Sequence, residues 1–82
     1  PARPAAAQRR FALLQTCMVH TPAFQFVRPL RGFETFDEGE LIATDGDAGE
    51  IRAPCDRCTV LMPARVPIVG REAVYLTRPI ND

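Results

Sequence analysis

Residues 39–63, GELIATDGDAGEIRAPCDRCTVLMP, contain the pattern that decides the fold. Residues 50–53 alternate between polar and apolar, residues 41–44 and 58–62 are short, mainly apolar segments, and clusters of Gly, Asp and Pro separate the three. Alternation with a period of two is typical of half-buried β-strands, and such clusters are typical of turns. The stretch therefore predicts three short strands joined by tight turns.

The same pattern extends to both sides of this stretch. Strands are predicted at residues 10–19, 24–29 and 72–78, the first favoured over a helix by the Thr-Pro break that follows it. Residues 64–69 are predicted to form a loop. Short strands at this spacing indicate an all-β fold with little or no helix, specifically a small barrel-sandwich hybrid of the lipoyl/biotinyl-like type.

The connection between the second and third predicted strands contains two phenylalanines. Residues 30–40 hold a glycine at each end of a turn-rich segment, with Phe33 and Phe36 between them. Large aromatic side chains supply much of the apolar area of a small core. Both are therefore predicted to pack into the core.

A chain of 82 residues forms one domain at most. Residues 1–9 are rich in Pro, Ala and Arg and are predicted to be a linker or disordered terminus. Residues 10–82 are predicted to form a single β domain. Because the chain begins with Pro1, we expect it to be a piece of a longer protein, in which it is the C-terminal domain.

The composition excludes several classes of function. The formal net charge is zero, which does not favour a nucleic-acid partner, and no apolar run is long enough for a membrane span. All ten basic residues are arginine, so biotinyl-lysine and lipoyl-lysine carriers are excluded. Three cysteines, an odd number, favour a reducing, cytoplasmic compartment.

Several segments resemble one protein family. The segments 31–34 (RGFE), 37–43 (DEGELIA), 50–54 (EIRAP) and 61–63 (LMP) are similar to the C-terminal domain of the succinylglutamate desuccinylase/aspartoacylase family. The similarity extends over roughly residues 24–80.

This resemblance implies a zinc-dependent hydrolase for the whole protein. Members pair an N-terminal zinc-carboxypeptidase-like domain with a C-terminal β domain, and they hydrolyse the amide bond of N-acyl amino acids. The expected partners are this protein's own catalytic domain and an N-acyl amino acid. Formation of a homo-oligomer is an open alternative. The family's zinc-binding His-x-x-Glu pair has no counterpart at His20, so no catalytic residue and no cofactor are expected in this chain.

One substrate-binding residue is implied by the resemblance. The segment Glu-Ala-Val-Tyr at 72–75 is similar to a Glu-Ala-Ala-Tyr segment of aspartoacylases, whose tyrosine reaches the active site. Tyr75 is therefore the candidate for substrate binding. A half-buried tyrosine of a strand, with its hydroxyl at the sheet edge, is the alternative interpretation.

The cysteines allow a second class of function. Cys55-x-x-Cys58 has the spacing of half a zinc site, and Cys17-x-x-His20 would supply the other half. The chain would then be a non-enzymatic β interaction module with a structural zinc. The main interpretation is plain β scaffold, since Cys58 begins an apolar strand and no helix follows to support a redox pair.

The charged residues near the turns also allow both a functional and a structural interpretation. Asp45, Asp47 and Glu50 superficially resemble a calcium loop but lack its twelve-residue spacing, so they are interpreted as hairpin residues. The arginines are interleaved with acids, and most are expected to be solvated. Arg28 and Arg31 are the pair that could guide a carboxylate into a neighbouring site.

Overall fold

The computed structural model describes residues 10–80. They form seven strands and one short 3-10 helix at Gly46–Ala48. The strands are β1 Phe11–Met18, β2 Phe24–Phe26, β3 Thr35–Phe36, β4 Leu41–Asp45, β5 Glu50–Arg52, β6 Cys58–Leu61 and β7 Glu72–Pro79. The predicted linker at residues 1–9 lies outside the described residues. No helix within 10–80 has the length and apolar character that a membrane span requires.

The strands form two sheets in which every neighbouring pair is antiparallel. The larger sheet has the order β1-β7-β6-β3, and the smaller sheet has the order β2-β4-β5. The predicted all-β hybrid of short strands is confirmed, and the sheets of residues 10–80 do not close into a barrel. β7 is central to the larger sheet because it pairs with β1 on one side and β6 on the other.

One apolar core joins the two sheets. Its fully buried aliphatic side chains include Ile42 of the smaller sheet and Val60, Val74 and Leu76 of the larger sheet. Burying one such side chain contributes roughly 1.5–3 kcal/mol to folding. Val60 and Leu76 are direct cross-strand partners, so this contact fixes the register of β6 against β7.

The connection between β2 and β4 differs from its prediction in two ways. It contains a strand, β3, which the sequence did not predict because only two residues pair with β6. Phe36 is buried as predicted, but the prediction for Phe33 is wrong, since this residue is 52% exposed. Its φ of 70° turns the chain, and its ring lies outside the core against Phe11, at 5.8 Å between centroids.

Candidate functional site

Tyr75 lies at the middle of β7, on the face of the larger sheet that points away from the core. Its cross-strand partners are Thr16 on β1 and Leu61 on β6. Because side chains alternate along a strand and the neighbouring Val74 and Leu76 are in the core, Tyr75 points to the outer face. The side chain is half-buried, and no group within residues 10–80 hydrogen-bonds to its hydroxyl. The hydroxyl is thus available to a group outside the described residues.

A loop of exposed apolar side chains follows the strand next to Tyr75. The loop, residues 62–70, is anchored by a 2.7 Å hydrogen bond from the amide of Ala64 to the carbonyl of Ala73. Met62 and Val66 are 71% and 73% exposed, and Ile68 and Val69 are more than half exposed. Four large apolar side chains in nine residues are more than scattered surface residues, and such patches mark contact surfaces.

The three cysteines pack together, with all three thiols free. Cys17 and Cys58 are buried in the core, and the half-buried Cys55 packs against it. Burial, reinforced by the neighbouring Cys55, raises the pKa of Cys58 to about 11, and burial also raises the pKa of Cys17 to about 11. Neither buried thiol is therefore poised to form a thiolate near neutral pH.

The residues of the alternative Cys/His zinc site differ in their exposure. His20 is exposed at the end of the segment after β1, whereas Cys17 and Cys58 face the core. Within residues 10–80, no group of three or more His, Cys, Asp or Glu side chains is arranged to hold a metal ion. The scaffold interpretation of the Cys-x-x-Cys pair stays a prediction, with Cys58 in the core and Cys55 packed against it.

Asp45 is a buried carboxylate with a structural role that its interpretation as a hairpin residue did not predict. It is 2% exposed, and it accepts hydrogen bonds from the amide of His20 at 2.7 Å and from the amide and hydroxyl of Thr21 at 2.9 and 2.8 Å. Burial opposes its charge, but these bonds outweigh burial and lower the pKa of Asp45 below its ordinary value. Nothing in the local sequence could reveal partners 24 and 25 residues away.

An open groove with a volume of about 660 Å³ lies beside β2. One wall is formed by residues 24–30 and the other by the loop residues Ala64, Arg65 and Pro67. Of the predicted arginine pair, Arg28 lines the groove and Arg31 does not. The sequence analysis missed Arg65, because only the fold brings its loop opposite β2.

The fold is shared with part of a solved protein structure. Residues of this chain superpose on part of the X-ray structure of succinylglutamate desuccinylase from Vibrio parahaemolyticus with a TM-score of 0.77 and 22% identity. The match covers 87% of this chain and 21% of that chain, so this chain spans about a fifth of the length of that enzyme. The resemblance found in the sequence is thus confirmed at the level of the fold.

The comparison rests on structure alone. No protein-family model matches the sequence, and no curated protein matches it. Proteins with this level of identity share a fold but do not necessarily share individual residues. Function therefore has to be argued from the site.

Proposed function

We propose that this chain is the C-terminal β domain of a zinc-dependent amidohydrolase that cleaves the amide bond of N-acyl amino acids. The observation that carries the proposal is the shared fold with a fifth of a succinylglutamate desuccinylase. In that arrangement the rest of the protein supplies the zinc and the catalytic groups. The β domain narrows the access of substrate to them.

The position of Tyr75 supports a role in substrate binding. It is the only tyrosine in the chain, and it projects from the outer face of the larger sheet. A phenol donates one hydrogen bond and accepts others, so it can bind a carboxylate or an amide carbonyl of a substrate. The strands on both sides of β7 hold its backbone rigidly, which is what a positioning residue needs.

The loop at residues 62–70 supports a contact with the catalytic domain. Its apolar side chains are exposed, and it begins directly after Leu61, the cross-strand neighbour of Tyr75. A domain that covers this loop would remove Met62, Val66, Ile68 and Val69 from water and would bring its own surface close to Tyr75. The same contact would thus assemble the domains and place the tyrosine.

The experiment that tests the proposal uses the protein that contains this chain together with its upstream region. Hydrolysis of N-succinylglutamate and N-acetylaspartate is measured for the wild-type protein and for Tyr75→Phe. Loss of one hydrogen bond to a charged substrate lowers kcat/KM by about 10–100-fold. The matched control is Thr16→Val, which removes a hydroxyl from the exposed cross-strand neighbour and is expected to leave kcat/KM within about twofold.

The outcomes are distinct. An active wild type with a weakened Tyr75→Phe variant supports both the hydrolase and the role of the tyrosine. An active wild type with an unchanged variant removes Tyr75 from the site but retains the hydrolase. Failure of the wild type to release either acyl group contradicts the hydrolase for these substrates.

A second candidate function is a non-enzymatic β interaction module. The observation that favours it is the open groove beside the edge strand β2, which offers a binding surface without any catalytic group. The upstream part of the same open reading frame separates the two candidates. A Gly-x-His-x-x-Glu stretch there favours the hydrolase, and its absence favours the interaction module.

A further inference from the structure

The groove beside β2 is a surface separate from Tyr75, and its properties are independent of the hydrolase proposal. β2 is an edge strand, since it is at the end of the order β2-β4-β5. No residue of β4 lines the groove, whereas all seven residues 24–30 do. The groove therefore lies along the free edge of β2.

The free edge presents unpaired backbone groups. The amide of Val27 donates to the carbonyl of Ile42 at 3.0 Å, and Phe26 is opposite Ala43. In an antiparallel pair, residues that exchange hydrogen bonds alternate with residues that do not. The N–H and C=O of Phe26 consequently point away from β4, and no hydrogen bond within residues 10–80 satisfies them.

The groove combines apolar walls with positive charge. Phe24, Phe26 and Leu30 contribute apolar surface, with the two rings in an edge-to-face contact at 5.1 Å. Arg28 and Arg65 are the charged residues of the lining, which contains no Asp or Glu.

The two arginines differ in whether they already form an ion pair within the described residues. Arg28 binds Glu34 at 2.7 Å and lies over the ring of Phe36, whereas Arg65 has no polar partner within residues 10–80. An occupant of this groove would therefore need apolar groups together with at least one carboxylate near Arg65.

We propose that the groove binds an extended acidic peptide of a partner protein, which adds as a strand to the free edge of β2. Addition of a strand supplies backbone hydrogen bonds to Phe26, and side chains that alternate in direction supply apolar and acidic contacts. A second copy of this chain is the weaker occupant. Pairing β2 with β2 would bring two Arg65 side chains to one interface, and neither groove contains a carboxylate to neutralise them.

The test is a titration of the ¹⁵N-labelled 82-residue chain, followed by NMR, with the probe acetyl-Val-Glu-Val-Glu-Val-amide. We expect saturable shifts at the amides of residues 24–30 and 64–67, including that of Phe26. Two control peptides separate the contributions of charge and backbone. Acetyl-Val-Lys-Val-Lys-Val-amide and acetyl-Val-Glu-Pro-Glu-Val-amide, which lacks a central N–H, are each expected to bind at least about tenfold more weakly.

Two arginine variants test which positive charge contributes to binding of the acidic probe. Arg65→Glu is expected to raise Kd for the acidic probe by at least about tenfold. The matched control is Arg78→Glu, an exposed arginine on β7 of the other sheet, for which no change is expected.

Several results would overturn the proposal. They are the absence of shifts along β2, equal binding of the lysine peptide, and equal effects of the two arginine variants. Glutarate binding as tightly as the peptide would assign the groove to small carboxylates. A dimer in sedimentation equilibrium that is disrupted by Arg65→Glu or by the probe would assign the groove to a second copy.

Discussion

Asp45 ties the segment that follows β1 to the end of β4. Because its pKa is lowered in the folded state, its charge stabilises the fold above its ordinary pKa, and this contribution is lost as the pH falls through the folded-state value. We expect the wild-type Tm to fall steeply below about pH 4.

The Asp45→Asn variant tests this directly in thermal unfolding from pH 7 to pH 3. It should have a lower Tm at neutral pH and a shallower fall in acid, because it has no charge to lose. Asp47→Asn, in the same turn but exposed, is the control and should behave like the wild type. Parallel pH profiles for wild type and Asp45→Asn would contradict this role.

Gly46 is required by the same junction. Its φ is 52°, and a Cβ at this position would lie 2.8 Å from the hydroxyl oxygen of Thr21. That hydroxyl donates to Asp45 and accepts from the amide of Ala23 at 3.1 Å, so it cannot move without loss of a hydrogen bond. Gly46→Ala should lower the free energy of unfolding by about 2 kcal/mol.

Urea denaturation measures the effect of Gly46→Ala. The control is Gly32→Ala, since Gly32 has open space around its Cβ position and no positive φ that would strain alanine. This control should be within about 0.5 kcal/mol of the wild type. Equal stabilities for the two variants would show that the contact with Thr21 is not restrictive.

The cysteines should differ in reactivity. With a pKa of about 11, roughly one in a thousand Cys17 or Cys58 thiols is ionised at pH 8, and both are buried. We expect iodoacetamide to label one site quickly, the half-buried Cys55, and Cys55→Ser to abolish the fast phase in mass spectrometry. Labelling of all three thiols at one rate would contradict the packing of Cys17 and Cys58.

Among the strands, β7 carries the largest share of the core. Its Leu76 is fully buried opposite Val60, so Leu76→Ala should lower the free energy of unfolding by about 2–5 kcal/mol. Leu13→Ala, on an edge strand at a position 62% exposed, is the matched control and should cost less than about 1 kcal/mol. Similar urea midpoints for the two variants would contradict the central position of β7.

The sequence predicted the strands that are bounded by turn residues. It did not predict features that depend on contacts between segments far apart in the chain. The segments that became β1, β2, β4, β5, β6 and β7 were predicted as strands because each is a short alternating or apolar segment bounded by turn residues. β3 was missed since two residues carry no periodicity, and Phe33 was misplaced since its backbone turns it outward. The hydrogen bonds of Asp45 and the position of Arg65 opposite β2 depend on chain segments far apart in sequence.

At the scale of the whole molecule, we propose that this chain is one of two parts of a longer protein and that each part has its own role. This chain provides a β scaffold, an outward tyrosine and an apolar loop, and its described residues offer no group arranged to hold a metal. The zinc and the catalytic groups are proposed to lie in the upstream domain. Removal of zinc should therefore abolish hydrolysis without unfolding the β domain.

The most direct measurement combines zinc content and hydrolysis. The 82-residue chain and the protein that contains it with its upstream region are analysed by native mass spectrometry and assayed on N-succinylglutamate and N-acetylaspartate, before and after chelation. We predict a folded, zinc-free 82-residue chain without activity, and a longer protein that loses its activity when its zinc is removed. One tightly held zinc on the 82-residue chain, or a longer protein that hydrolyses neither substrate, would contradict this prediction.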